Sequence, residues 1–149
     1  MEIHEVTRVS SELVSAFEHL IPQLSSSSHP PTRADLEEIV SSPSYVLFAA
    51  SDPSRGGEII GSLTLVIFRT PTGKRASIED IIVDSGARRR GIGEALSRKA
   101  IEYAADAGAK SVNLTSRPSR EAANRLYLKI GFKKRETNVY QYRLDLQPD

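Results

Sequence analysis

Hydrophobic and polar positions follow two different periods in the first part of the chain. Residues 2–7 alternate between polar and apolar side chains, which predicts a short strand. Apolar residues then recur at helical spacing over residues 13–21, and Pro22 is predicted to end this helix. Thr32 followed by Asp35 matches a helix cap with a reciprocal acid, so a second, shorter helix is expected there.

The rest of the chain alternates between β-branched runs and amphipathic segments. Strands are predicted at residues 45–50, 58–68, 76–84 and 111–115, helices at residues 91–107 and 119–128, and a terminal pair of strands at residues 132–135 and 139–146. The helix at 119–128 is expected to be capped by Ser119 and ended by Gly131. This order predicts an α/β (α+β) fold with a mixed sheet and at least one strand–helix–strand crossover.

Composition narrows the class of protein. The 149 residues fit one domain, predicted to span residues 1–149, and they include no cysteine, which excludes disulfides and thiol nucleophiles within this sequence. No apolar run approaches the ~20 residues that span a bilayer, and no signal-peptide pattern opens the sequence, so a cytoplasmic location without membrane association is expected. The three histidines are scattered in sequence and predict no metal site.

The densest chemical signal is the segment 88–93, which reads Arg-Arg-Arg-Gly-Ile-Gly between a predicted strand and a predicted helix. Backbone N–H groups at a helix start, the helix dipole and the arginine charges all favour an anion, and the glycines allow phosphate oxygens to approach the backbone. The segment is neither a P-loop nor a dinucleotide-binding fingerprint, because the required lysine and third glycine are missing. A basic helix start with glycines used only for a tight turn is the alternative.

Two segments of this sequence resemble those of GNAT acetyltransferases. Arg88-x-x-Gly91-x-Gly93 is similar to the family's coenzyme A pyrophosphate loop, and residues 123–132 are similar to its Ala-x-x-Leu-Tyr-x-x-x-Gly-Phe segment. The resemblance is close over residues 76–146. It implies a GNAT fold, with a mixed, mostly antiparallel sheet of six to seven strands flanked by about four helices, and transfer of an acetyl group from acetyl-CoA to an amine.

The resemblance also implies roles for particular residues. Tyr127 holds the family's tyrosine position and is expected to protonate the departing thiolate; a core aromatic with its hydroxyl at the surface is the alternative. Binding of acetyl-CoA is assigned to Ile81, Ile82, Val83, Arg88, Arg89, Arg90, Gly91, Ile92, Gly93 and Glu94. The family often has asparagine where this chain has Arg120, so contacts of Arg120 and Asn124 with coenzyme A stay open.

A general base for the amine proton is expected among the acids that precede the pantetheine strand. This Ile-Glu-Asp strand resembles that of glucosamine-6-phosphate N-acetyltransferases. Side chains alternate across a strand, so only one of Glu79 and Asp80 can face the cleft, and Glu79 is preferred because it has the parity of Ile81 and Val83. A base role for Asp80, a bound water as base and a salt-bridge role for either acid remain alternatives.

The identity of the acceptor is not encoded in any motif of the first 75 residues. A small-molecule amine is favoured over a protein N-terminus or lysine, and a non-catalytic acyl-CoA-binding regulatory domain is the main rival to an enzyme. A nucleic-acid-binding module is disfavoured because the formal net charge is +1 and no binding motif occurs. The run at residues 139–146 resembles the terminal strands with which the family builds homodimers.

Overall fold

The computed structural model describes residues 1–144. The chain divides into two compact units, residues 1–114 and residues 115–149. The single domain expected from length stays a prediction, and the two units are described in turn.

The first unit is built on a sheet of five strands. Their bounds are β1 (Glu2–Glu5), β2 (Tyr45–Asp52), β3 (Glu58–Thr70), β4 (Gly73–Val83) and β5 (Val112–Asn113). They lie in the order β1-β2-β3-β4-β5, and every neighbouring pair is antiparallel except the parallel pair β4 and β5. Sequential strands joined by short turns pair as neighbours, whereas the parallel pair needs a helical crossover, as the sequence predicts.

Three helices belong to this unit: α1 (Ser11–Leu24), α2 (Arg33–Ser41) and α3 (Ile92–Asp106). The predicted capping box of α2 is present, because the Thr32 hydroxyl accepts from the Asp35 N–H and the Asp35 carboxylate accepts from the Thr32 N–H. The prediction that Pro22 ends α1 is wrong, since the helix continues to Leu24. A proline in the last turn removes only its own N–H from the ladder, so the final residues still bond.

The two faces of the sheet are covered by different helices. Buried residues of α1 and α2 form one cluster with Leu47 of β2 and Ile82 of β4. The opposite face lies against α3: Phe48 makes an edge-to-face contact with Tyr103, and a Cβ added at Gly61 would meet Ile92 at 3.1 Å. Truncation of a leucine in such a core typically costs about 2–5 kcal/mol, so the packing of these layers is strong. The sheet and α3 therefore hold both ends of the β4–α3 loop, residues 84–91, in place.

The second unit contains α4 (Glu121–Ile130), and Gly131 follows it at φ +124°, as the predicted helix stop. The N-cap is Arg120 rather than Ser119, and it makes no side-chain cap hydrogen bond. Residues 132–144 form no strand, so the predicted terminal pair is absent over its described part; Asp145 and Leu146 lie outside the described residues. The alternation of apolar and polar residues in the predicted terminal strands is a local signal, whereas a strand also requires a neighbouring strand with which to pair. Over residues 1–144 the sheet thus has five strands rather than six to seven.

Candidate active site

The backbone of β4 is interrupted where the sequence predicts the pantetheine strand. Thr64 of β3 opposes Glu79 and Ser62 opposes Ile82, so two residues of β4, Asp80 and Ile81, oppose one residue of β3. Asp80 accordingly has φ +48°, in the left-handed region. This arrangement is a β-bulge, which bends the strand and re-aims its side chains.

The bulge overturns the parity argument for Glu79. Opposed residues share a face, so Glu79 lies on the face of Ile82, whereas Val83 opposes Gly61 on the other face. The extra residue at the bulge shifts the alternation by one, which a count along the sequence does not reveal. Glu79 is exposed and accepts a hydrogen bond from the Ser77 hydroxyl at 2.8 Å.

The surroundings of Asp80 disfavour the charged form of its carboxyl group. Its side chain is exposed, but partial desolvation by surrounding atoms, followed by the negative charge of Glu79, raises its pKa. A carboxylate with a raised pKa holds a proton more readily. Asp80 is therefore a candidate base beside Glu79.

The second edge of β4 is largely open within the first unit. The ladder to β5 covers only Ala76 and Ser77, so residues 78–83 have no partner in β5. β5 therefore leaves unpaired the side of Ile81, Ile82 and Val83 that points away from β3, and an extended ligand pairs with backbone of this kind. Such an edge suits the pantetheine arm that the resemblance assigns to it.

The β4–α3 loop leads from this edge to the start of α3. Arg89 has φ +65° and Gly91 has φ +74°, and Gly91 is the N-cap of α3 without a side-chain cap hydrogen bond. An added Cβ at Gly91 would meet no atom within 4 Å, so the backbone conformation rather than lack of space favours glycine. The first N–H groups of the helix and its dipole favour an anion at this place, and binding of a diphosphate there stays a prediction.

The side chains of this loop and of the first turn of α3 differ in exposure and in their partners. Arg88 and Arg89 are exposed, whereas Ile92 is 2% exposed and packs in the core. Glu94 accepts from the Arg98 guanidinium at 2.9 Å, one turn further along α3. Only the backbone of Ile92 is therefore suited to a ligand, and its side chain anchors the helix start.

Arg90 is occupied by a partner that sequence reasoning missed. Its Nη1 donates to Oδ2 of Asp52 at 2.9 Å, and the Asp52 side chain is only 3% exposed. Hydrogen bonds from Ser54, then that from Arg90, lower the pKa of Asp52 to about 2. The sequence presents Asp52 as part of a turn, and no local signal connects it with a loop 38 residues away.

The beginning of the loop is held by α1. Asp84 Oδ1 accepts from Gln23 Nε2 at 3.0 Å and lies 3.0 Å from His19 Nε2, while Gln23 Oε1 accepts from the Ser85 N–H at 2.8 Å. The bond from Gln23, together with His19 and the more distant charge of Arg55, lowers the pKa of Asp84. His19, outside every motif, thus lies beside the candidate site.

Tyr127, Arg120 and Asn124 all belong to the second unit. Tyr127 is 7% exposed and packs edge-to-face on Phe132 at a centroid distance of 5.9 Å. Burial raises the pKa of its phenol, and the charge of Arg120 opposes that effect in part. The phenol is therefore protonated at neutral pH, as a proton donor must be.

The Asn124 side chain is turned to its own unit. Its Nδ2 donates to the Arg117 carbonyl at 3.0 Å, and its N–H donates to the Arg120 carbonyl at 3.0 Å. Arg120 is exposed. Any contact of either residue with coenzyme A stays a prediction.

Within residues 1–144 no group of three or more His, Cys, Asp or Glu side chains is placed to hold a metal ion. In the same part of the chain, no helix has the length and apolar character needed to cross a membrane.

Comparisons with known proteins show what this chain is similar to. Two rice (Oryza sativa subsp. japonica) relatives are glucosamine 6-phosphate N-acetyltransferase 1 and a protein described as a probable second such enzyme. The second is 32% identical over 115 residues, which cover 74% of this chain and 66% of that protein's length. The first is 29% identical over 140 residues, which cover 89% of this chain and 82% of its own.

A solved structure from Agrobacterium tumefaciens str. C58 has the same fold, with a TM-score of 0.82 at 23% identity, over 96% of this chain and 99% of that one. The model of the acetyltransferase (GNAT) family matches residues 13–132, which include the bulge, the loop, and Tyr127. The chain therefore belongs to the GNAT family, a family of acetyl-CoA-dependent N-acetyltransferases.

Proposed function

We propose that this protein transfers an acetyl group from acetyl-CoA directly to a primary amine of a small molecule. The observation that carries the proposal is the continuity of the open β4 edge with the left-handed loop before α3. An extended thiol arm fits the first, and a diphosphate fits the second. Family membership supports acetyl-CoA as the donor.

Different residues bind different parts of acetyl-CoA. Backbone N–H groups of residues 89–94 receive the diphosphate, and the exposed Arg88 and Arg89 add positive charge. The backbone of Ile81, Ile82 and Val83 holds the pantetheine, and an N–H there polarises the thioester carbonyl. No side chain is required for that polarisation.

The chemical step forms one bond and breaks another. The neutral amine attacks the thioester carbon, a C–N bond forms and the C–S bond breaks. The amine proton passes to the Glu79–Asp80 pair, directly or through water, and Tyr127 gives its phenolic proton to the thiolate. Glu79 is the base that sequence reasoning prefers. Asp80 is supported by its raised pKa, which desolvation and then the negative charge of Glu79 cause.

The names of the two rice relatives support an amino sugar or another small polar amine as the acceptor. The adjacent acids Glu79 and Asp80 also favour an acceptor that arrives as a cation. A homodimer and a cytoplasmic location remain predictions from the sequence.

An amine screen with acetyl-CoA tests the function. The acceptors are glucosamine 6-phosphate, an aminoglycoside, a polyamine, free amino acids and a peptide with a free N-terminus and a lysine. Release of free thiol and the mass of the product are measured, with Tyr127→Phe as the matched control. Turnover confined to the peptide would overturn the small-molecule proposal, and tight coenzyme A binding without turnover would indicate a non-catalytic binding domain.

A further inference from the structure

Asp52 lies at the end of β2, on the turn toward β3, and it is built as a fixed anion. Its Oδ1 accepts from the Ser54 N–H at 3.0 Å and from the Ser54 hydroxyl at 2.6 Å. Its Oδ2 faces Arg90 at 2.9 Å and Arg55 at 3.7 Å. With a pKa of about 2, this carboxylate is ionised at any physiological pH.

A buried carboxylate is costly unless it is paired, and removal of its partner leaves an uncompensated charge. Asp52 is therefore committed to Arg90, the residue immediately before Gly91. Arg90 is consequently less available to a ligand than Arg88 and Arg89, although the sequence presents the three arginines as equivalent.

The residues on both sides of Arg90 have a backbone conformation that contacts from the surrounding structure must hold in place. Arg89 and Gly91 both have left-handed backbone, and a non-glycine residue in that region persists only where its surroundings impose it. The Asp84 contacts with Gln23 and His19 fix the loop at its beginning, and the Asp52–Arg90 pair fixes it at its end.

We infer that Asp52 is a positioning residue for coenzyme A, because through Arg90 it fixes the backbone whose N–H groups receive the diphosphate. The inference rests on the proposed function, since it takes the loop as the donor site. Asp52 touches no reacting atom. Arg88 and Arg89 supply the charge, and Asp52 supplies the geometry.

Positioning and simple electrostatics predict opposite signs for one substitution. Asp52→Asn removes a negative charge near an anion site and leaves Arg90 unneutralised, so electrostatics alone predicts tighter coenzyme A binding. Loss of the restraint instead predicts weaker binding, by about tenfold in Kd. Glu58→Gln is the matched control, because it removes the same charge from the same turn, where Glu58 pairs with Arg55 rather than Arg90.

The measurement is calorimetric titration of coenzyme A into the wild type, Asp52→Asn, Arg90→Gln and the double variant. We expect the two single losses not to add, because both remove the same restraint. Glu58→Gln should bind coenzyme A at least as tightly as the wild type. Arg90 is 40% exposed, so Arg90→Lys, which keeps the charge but loses the guanidinium contact with Asp52, keeps the test open if Asp52→Asn fails to fold.

A second measurement separates positioning from a general structural defect. Acetyl-pantetheine carries the thioester but lacks the diphosphate, so kcat/KM with it should be the same for Asp52→Asn and the wild type, whereas kcat/KM with acetyl-CoA should fall. Equal losses with both donors, or Asp52→Asn binding coenzyme A as tightly as the wild type, would overturn the inference. A wild type that binds no coenzyme A would instead contradict the proposed function.

Discussion

Asp80 and Arg89 have left-handed backbone, and they lie in two regions that contribute differently to the candidate site. Asp80, at φ +48°, forms the bulge of β4, whereas Arg89, at φ +65°, lies in the loop before α3. Gly91 and Gly93 mark the loop in the sequence. The bulge lies at the two acids Glu79 and Asp80, within a segment that the β-branched residues around them predict to be a strand. Backbone outliers of this kind cluster at functional sites.

Under the proposed function, the two regions have separate tasks. The loop presents backbone donors to a diphosphate, so its variants should change coenzyme A binding. The bulge places two acids beside the strand of the thioester, so its variants should change turnover. Kd and kcat measured on the same variants test this assignment, because a loop variant that changes only kcat, or a bulge variant that changes only Kd, would contradict it.

The largest effect is expected from neither region but from the second unit. Tyr127→Phe keeps the ring and its contact with Phe132 and removes the phenolic proton. We expect kcat to fall about 10²- to 10⁴-fold with acetyl-CoA KM little changed, as for a general acid. Single-turnover kinetics checks this even where product release limits kcat. Full activity in the chemical step would reassign Tyr127 to packing.

The next effect concerns the acids of the bulge. With Asp80 as base, Asp80→Asn should lower kcat about 10²-fold and remove the acid limb of the kcat/KM profile. Glu79→Gln should shift that limb to lower pH, because the charge of Glu79 raises the pKa of Asp80. Asparagine tolerates left-handed backbone, so the bulge should persist.

If Glu79→Gln removes the acid limb and Asp80→Asn only shifts it, the base is Glu79, the residue preferred from the sequence. Unchanged profiles in both would leave the proton to water. Coenzyme A affinity measured on both variants serves as the control, and it should stay within about twofold of the wild type, since the diphosphate is held elsewhere.

A smaller effect is expected in the loop. Gly91→Val places a β-branched residue at φ +74° and should raise the Kd of coenzyme A by about tenfold or more, because left-handed backbone strains such a residue. Arg88→Gln should raise it less, since Arg89 remains. Titration of both variants decides the order, and a greater loss from Arg88→Gln would show that charge outweighs backbone geometry.

The smallest effect is the dependence of stability on acid. The folded pKa of Asp52 is about 2 against an ordinary value of 3.8, so its contribution is fully present above pH 3.8 and is lost as pH falls toward 2. Denaturant unfolding of the wild type and Asp52→Asn should differ by a constant amount at higher pH. That difference should shrink below pH 3.8, and a constant difference across this range would contradict the assigned pairing.

Much of the fold could be predicted from the chain because its signals are local. The capping box at Thr32, the helix after Gly91 and the order of the strands of the first unit all follow from side-chain period and turn chemistry. The terminal strands could not be predicted in this way, because alternation at residues 139–144 does not supply a pairing partner.

In the candidate site, too, some features follow from the sequence and others only from the tertiary structure. The sequence by itself determined the glycine loop and the tyrosine segment, since residue types at fixed spacing carry both. Only the tertiary structure decided the bulge, the face of Glu79, the pairing of Arg90 with Asp52 and the anchoring of Asp84 by Gln23. Each of these depends on strand register or on side chains far apart in the chain, and such contacts are fixed by packing rather than by local pattern.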